Sequence, residues 1–143
     1  MPGEVHQTLL LWLARRMTSD GFRIAGFDGT AVRGGRFNRM PAPFVLRGRR
    51  PDAWGANDDG SLIAFGEAKS AADIVSGRTI SQLRVFGSVR MKTGAACPLY
   101  IAVSREAAPN LDGALRAAGL AGSRNVVRLH VPEVLLTESG HAA

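Results

Sequence analysis

The amino-acid sequence predicts one domain of the α/β or α+β class, in which a sheet is flanked by helices. The chain has 143 residues, of which 45% are hydrophobic, and this is enough for one compact core. Residues 4–19 carry a helical apolar stripe, and residues 61–69 form the clearest strand of the sequence, with alternate residues on its two faces. The order of elements is then helix, about three strands, helix, strand, helix, strand. We assign the domain to residues 1–137 and expect a frayed tail at 138–143.

The individual elements follow from periodicity and from turn signals. The sequence Asn57-Asp58-Asp59-Gly60 is a strong turn signal between two strands. In the strand that follows it, Phe65, Glu67 and Lys69 share one face. The predicted helices are residues 4–19, 78–91 and 110–120. The predicted extended segments are residues 22–27, 44–46, 52–56, 61–69, 98–104 and 125–131, and residues 29–43 are a loop.

The chain is strongly basic, with 18 Lys and Arg against 12 acids, a net charge of +6 and a pI near 11.0. This balance indicates a polyanionic partner. The lone Cys97 excludes a disulfide scaffold and a Cys-rich zinc module. The apolar run at residues 9–13 is far shorter than a membrane span and lacks the layout of a cleavable signal. We therefore expect a cytoplasmic protein with no membrane partner.

Three charged residues at the ends of two predicted strands carry the chemistry. Asp52 opens one strand, and Glu67 and Lys69 end the next, so a short hairpin brings both carboxylates and the ammonium together. Two oxygen ligands can hold Mg²⁺, which assists phosphodiester hydrolysis, while a lysine orients the attacking water. Alternatively, the Asp only starts a turn and the other two form an exposed ion pair of little effect.

The pattern Pro51-Asp52, then Glu67-Ala68-Lys69, resembles the PD-(D/E)XK nuclease superfamily, in the manner of small Holliday-junction-resolvase-like domains. The similarity extends over about residues 4–104. It implies a restriction-endonuclease-like αβββαβ core with a mixed central sheet, followed by an extra helix and strand. It also implies Mg²⁺-dependent DNA cleavage by in-line attack of water, with Mn²⁺ as a substitute cofactor. Asp52 and Glu67 are then the metal ligands, and Lys69 is catalytic.

The same resemblance implies roles for two more residues. Family helices that follow the lysine often present a glutamine to the site, and Gln82 fits that position; alternatively, it is a buried amide satisfied by the backbone. Many members carry a glutamate on the first helix as an extra metal ligand, and Glu4 is the only acid there, with His6 as the substitute. The alternative for Glu4 is an ordinary acidic residue favoured by the helix dipole.

Arginines surround the acidic pair in the sequence, and their planar guanidinium groups suit phosphate oxygens. We predict DNA contacts from Arg33, Arg36, Arg39, Arg47, Arg49, Arg50, Arg78 and Arg84. The alternative for the loop arginines is a solvated surface.

The sequence thus predicts a DNA endonuclease that acts as a homodimer or with a partner subunit, since one small domain has little surface for a duplex. Two other functions stay open. One is a non-catalytic DNA-binding or assembly module of the same fold, and the other is a basic RNA-binding protein without a catalytic site, because phosphate contacts carry no base information.

Overall fold

The computed structural model describes residues 4–29, 37 and 40–140, with the backbone alone for 137–140. Within these residues a five-stranded mixed sheet has helices packed on both faces, which confirms the predicted α+β class. The helices are α1 (Glu4–Ser19), α2 (Gly77–Gly87), α3 (Ala108–Ala117) and α4 (Glu133–Gly140). The strands are β1 (Arg23–Phe27), β2 (Ala53–Ala56), β3 (Ile63–Ala68), β4 (Leu99–Ser104) and β5 (Val126–Val131).

The sheet changes character at its middle strand. The strand order is β1-β2-β3-β4-β5. Strand β2 is antiparallel to both β1 and β3, whereas β3, β4 and β5 are parallel to one another. The predicted turn joins β2 to β3, where the Gly60 amide donates to the Asn57 carbonyl at 3.0 Å. The register places Ala53 opposite Gly66. The residue before β2 and the residues that end β3 therefore meet at one edge of the sheet.

The alternation of β3 divides the core as predicted. Ala64 and Ala68 belong to the cluster that includes α1, whereas Phe65 packs with the α2 side chains Leu83 and Phe86. Gly66 faces α1 so closely that a Cβ atom there would lie 2.6 Å from the Leu13 side chain. The absence of a side chain at this strand position lets α1 lie directly on the sheet.

Helix α2 is shorter than its apolar pattern predicts. It ends at Gly87 instead of residue 91, because Ser88 caps it with a hydroxyl bond to the Val85 carbonyl at 3.0 Å. A Cβ at Gly87 would lie 2.5 Å from Leu120, so the end of the helix is packed against the chain that follows α3. The predicted extent of this helix was wrong by about one turn, because the local Ser88 cap and packing against Leu120 end it earlier.

The C-terminal half differs from the prediction in two further places. A 3₁₀ turn at Arg105–Ala107 leads into α3, which therefore begins at Ala108 and not at residue 110. Helix α4 was not predicted, and residues 138–140 of the expected tail belong to its backbone, while 141–143 lie outside the described residues. Only Leu136 of its apolar run is buried, which explains the weak signal. No helix in the described part of the chain is long and apolar enough to cross a membrane.

Candidate active site

A cleft of about 560 Å³ opens where β3 ends. Its floor contains Asp52, which precedes β2, and Lys69, which follows β3. One wall is the segment before β2, and the other wall is the loop before α2 and the first turns of that helix. The lining residues are Asp28, Val45, Gly48, Arg49, Arg50, Asp52, Lys69, Asp73, Ser76, Arg78, Thr79 and Gln82.

The structure brings Asp52 and Glu67 together by backbone and side-chain hydrogen bonds. The Asp52 amide donates to Glu67 Oε2 at 2.9 Å, and the Ala68 amide donates to Asp52 Oδ2 at 2.9 Å. These bonds follow from the hairpin register, which sets the two carboxylate residues opposite each other. Hydrogen bonds to the hairpin backbone therefore fix the pair, with Glu67 in β3 and Asp52 directly before β2.

Lys69 is held between the acidic pair and α2. Its Nζ donates to Gln82 Oε1 at 2.6 Å and lies 3.5 Å from Glu67 Oε1. The Gln82 side chain is buried, and its carbonyl oxygen accepts from the lysine rather than from the backbone. The ammonium group is thus oriented from two sides at the floor of the cleft.

Glu67 is fully buried beside a second carboxylate. Burial raises its pKa, the charge of Asp52 raises it further, and Lys69 opposes both, leaving a pKa of about 8. Glu67 Oε1 accepts no hydrogen bond from the described residues. A buried carboxylate whose oxygen accepts no hydrogen bond is stabilised by a positive charge nearby. A divalent cation carries a larger positive charge than the Lys69 ammonium group.

We expect the metal-free protein to lose stability as the pH rises from about 5 to about 8. Folded Glu67 keeps its proton up to a pKa of about 8, whereas the unfolded residue releases it near its ordinary value of 4.5, so the native state binds more protons in this window. The free energy of unfolding should fall by roughly 2–4 kcal/mol. Urea unfolding in EDTA at several pH values measures it. Glu67→Gln should remove this part of the slope, and identical slopes for both proteins would contradict the assignment.

Helix α1 contributes a histidine to the same centre. His6 Nε2 lies 3.3 Å from Asp52 Oδ2, and its Nδ1 is buried without a partner among the described residues. Burial lowers the pKa of His6, but the hydrogen bond and charge of Asp52 outweigh it, so the pKa is raised overall. Glu4 is exposed in the first turn of α1 and is not among the residues that line the cleft. Its role as a metal ligand stays a prediction.

Asp28 is a cleft residue that the sequence reasoning missed. It follows β1 directly, lines the cleft, and its amide donates to the Asp52 carbonyl at 2.8 Å. Burial and the charge of Asp52 raise the pKa of Asp28, while Arg50 and His6 lower it. The sequence did contain a signal, because Asp28 is an acid directly after β1, and β1 pairs with β2, which begins directly after Asp52.

The second wall of the cleft is built around the N-terminus of α2. Ser76 caps the helix by accepting from the Thr79 amide at 3.1 Å, and the Thr79 hydroxyl donates to the Asp73 carbonyl at 2.7 Å. Arg49 donates to Ser81 at 3.2 Å and thereby joins the first wall to this helix. Both walls are consequently tied to each other as well as to the sheet.

The predicted DNA-binding arginines have different surroundings. Arg49, Arg50 and Arg78 line the cleft. Arg47 is exposed in the turn beside it, whereas Arg84 donates to the Ala117 carbonyl at 3.0 Å and so contacts α3. The remaining three, Arg33, Arg36 and Arg39, lie outside the described residues.

Comparison of the chain with protein-family models, curated proteins and solved structures found no match. The function must therefore be argued from the site itself. In the described ranges, no group of three or more His, Cys, Asp or Glu side chains is arranged to hold a metal ion. A cation at this centre would depend on Asp52 and Glu67, with water completing its coordination.

Proposed function

We propose that this protein is a metal-dependent nuclease that hydrolyses DNA phosphodiester bonds, most simply an endonuclease of the PD-(D/E)XK type. One observation carries the proposal: the fully buried Glu67 contacts Asp52 and Lys69, which line the cleft together with arginines. Its Oε1 accepts no hydrogen bond from the described residues and lies 3.5 Å from Lys69 Nζ. The charged form of a carboxylate that is buried beside a second, partly buried one is unfavourable unless a cation binds it. Their position on a rigid hairpin fits a catalytic centre better than a surface ion pair.

The donor set fits Mg²⁺ and, as a substitute, Mn²⁺. Both are hard cations that prefer carboxylate and water oxygens, and Mg²⁺ normally keeps several waters when one or two carboxylates bind it. Asp52 and Glu67 would hold the cation. When bound, it supplies a water of lowered pKa and a positive charge beside the phosphate.

The chain's own residues then position the substrate and the water. Lys69, oriented by Gln82, donates a hydrogen bond to the attacking water or to a non-bridging oxygen of the scissile phosphate. Arg50 and Arg78 are placed to bind phosphate oxygens along the strand. His6 and the Ala68 amide keep the Asp52 carboxylate in one orientation. This division of roles fits in-line attack by water on a DNA strand.

A domain of this size has little surface for a duplex, and we propose that it works in the cytoplasm as a homodimer or with a partner subunit that supplies specificity. A homodimer would place one centre on each strand.

Incubation with supercoiled plasmid and with a branched junction, in Mg²⁺, Mn²⁺ and EDTA, tests the proposed activity. We expect nicking in either metal and none in EDTA, because the acidic pair needs its cation. The ratio of the two cleavage rates reports which DNA shape the enzyme prefers. Salt-sensitive DNA binding without cleavage in any metal would instead support a non-catalytic DNA-binding module. Tight RNA binding with no cleavage of either nucleic acid would support an RNA-binding protein.

A further inference from the structure

The segment before Asp52 folds into a tight two-residue turn at one wall of the cleft. The Leu46 amide donates to the Arg49 carbonyl at 2.7 Å, and the Arg49 amide donates back to the Leu46 carbonyl at 2.9 Å. Arg47 and Gly48 lie between them with φ of 50° and 76°. Positive φ at both central positions is the pattern of a type I′ turn, for which Asn-Gly is the preferred pair.

Arg47 is an unexpected residue for this position. Within the described residues it is the one non-glycine residue with positive φ, a conformation that is unfavourable for most L side chains. Its side chain is exposed, and no hydrogen bond or ion pair within that part of the chain compensates for the strain. Backbone strain that no contact among the described residues compensates points to a partner outside the chain.

The neighbours of Arg47 fix where that partner would lie. Gly48, Arg49 and Arg50 line the cleft, and the Arg49 bond to Ser81 holds the turn against α2. The tip of the turn is therefore a rigid point beside the cleft, not a mobile loop end. Arg50 lines the cleft together with Asp28, whereas Arg47 is exposed and is not among the residues that line the cleft.

We propose that Arg47 binds a phosphate of the DNA strand outside the cleft, next to the reacting phosphate, and that its strained backbone is kept for this contact. This contact rests on one part of the proposed function, namely that DNA binds in the cleft, and does not require that the DNA is cleaved. It gives Arg47, one of the arginines for which the sequence predicts DNA contacts, a specific phosphate outside the cleft, and loss of this contact leaves the acidic centre unchanged. A guanidinium suits this role because its planar donors match two phosphate oxygens.

The test uses Arg47→Asn, which places the preferred residue before Gly48. Its melting temperature should stay equal or rise by about 2–4 °C. Its affinity for duplex DNA in EDTA should fall about threefold to tenfold at moderate salt, and the slope of log Kd against log salt should decrease by about 0.9. Arg47→Lys should keep the slope because it keeps the charge. Arg124→Asn, before β5 and at the opposite edge of the parallel strands, is the matched control and should change neither quantity.

Each outcome decides a separate point. An Arg47→Asn protein that is equally stable and binds with an unchanged salt slope overturns the inference. A lower melting temperature also overturns it, because Arg47 would then support the turn itself. If the wild-type protein binds no DNA, the proposed function is overturned. If Arg47→Asn weakens DNA binding but the wild type never cleaves DNA, the contact is supported and the nuclease activity is excluded.

Discussion

Replacing Lys69 by alanine is expected to reduce metal-dependent DNA cleavage by about 10²–10³-fold while DNA affinity changes little. The ammonium group lies at the cleft floor, 3.5 Å from Glu67 Oε1 and 2.6 Å from Gln82 Oε1, and so can act on the reacting phosphate or its water. The arginines that line the cleft are unchanged in this variant, so the proposed attraction to phosphate should persist. Single-turnover cleavage rates with protein in excess, together with binding measured in EDTA, separate the two quantities.

The chain provides an unusually direct control for this experiment. Its 18 basic residues include two lysines, Lys69 and Lys92. Lys92 is exposed in the turn between α2 and β4 and is not among the cleft residues. Lys92→Ala should therefore cleave at the wild-type rate. Equal rates for wild type and Lys69→Ala, or equal losses in the two lysine variants, would contradict a catalytic role for Lys69.

Glu67→Gln is expected to reduce the rate of DNA cleavage by about 10³-fold or more. It should also abolish the stabilisation of the fold by Mg²⁺. The amide has the same shape, and its carbonyl oxygen can still accept from the Asp52 amide, so folding should persist. It removes the buried charge, which makes the metal-free variant at least as stable as wild type at pH 8. Wild type with Mg²⁺ at about 100 times its Kd should gain about 2.7 kcal/mol of unfolding free energy.

Urea unfolding with and without Mg²⁺ measures this gain directly and does not depend on knowing the substrate. Glu106→Gln is the matched control, because Glu106 is exposed in the 3₁₀ turn that follows β4, whereas Glu67 is fully buried against Asp52 and Lys69. It should keep both the cleavage rate and the Mg²⁺ effect. A Glu67→Gln protein that Mg²⁺ stabilises as strongly as wild type would show that the cation binds elsewhere.

The parts of the site that sequence reasoning predicted depend on short-range order. Helix α1 and strand β3 have clear apolar periods, and the turn at 57–60 fixes the register that sets Asp52 opposite Glu67. The two-residue period of β3 then places Lys69 on the same face as Glu67. These relations need only one hairpin, so they can be derived without knowing how the rest of the chain packs.

The parts that the sequence did not predict depend on contacts between distant elements. The His6–Asp52 hydrogen bond forms only if α1 lies at the right distance from the sheet. The packing of Leu13 against Gly66 sets this distance. Asp28 enters the cleft because β1 pairs beside β2. The early end of α2 and the existence of α4 likewise follow from tertiary packing, which periodicity within a segment does not report.

The β2–β3 hairpin has a consequence for the order in which the protein is assembled during synthesis. Asp52, Glu67 and Lys69 belong to one contiguous stretch of chain, whereas Gln82 and the Ser81 partner of Arg49 come from α2 and leave the ribosome later. Closing a short loop has a small entropic cost, so the local pairing can form before the distant contacts do. We expect the acidic centre to form first on the nascent chain, and the two walls of the cleft to pack around it afterwards.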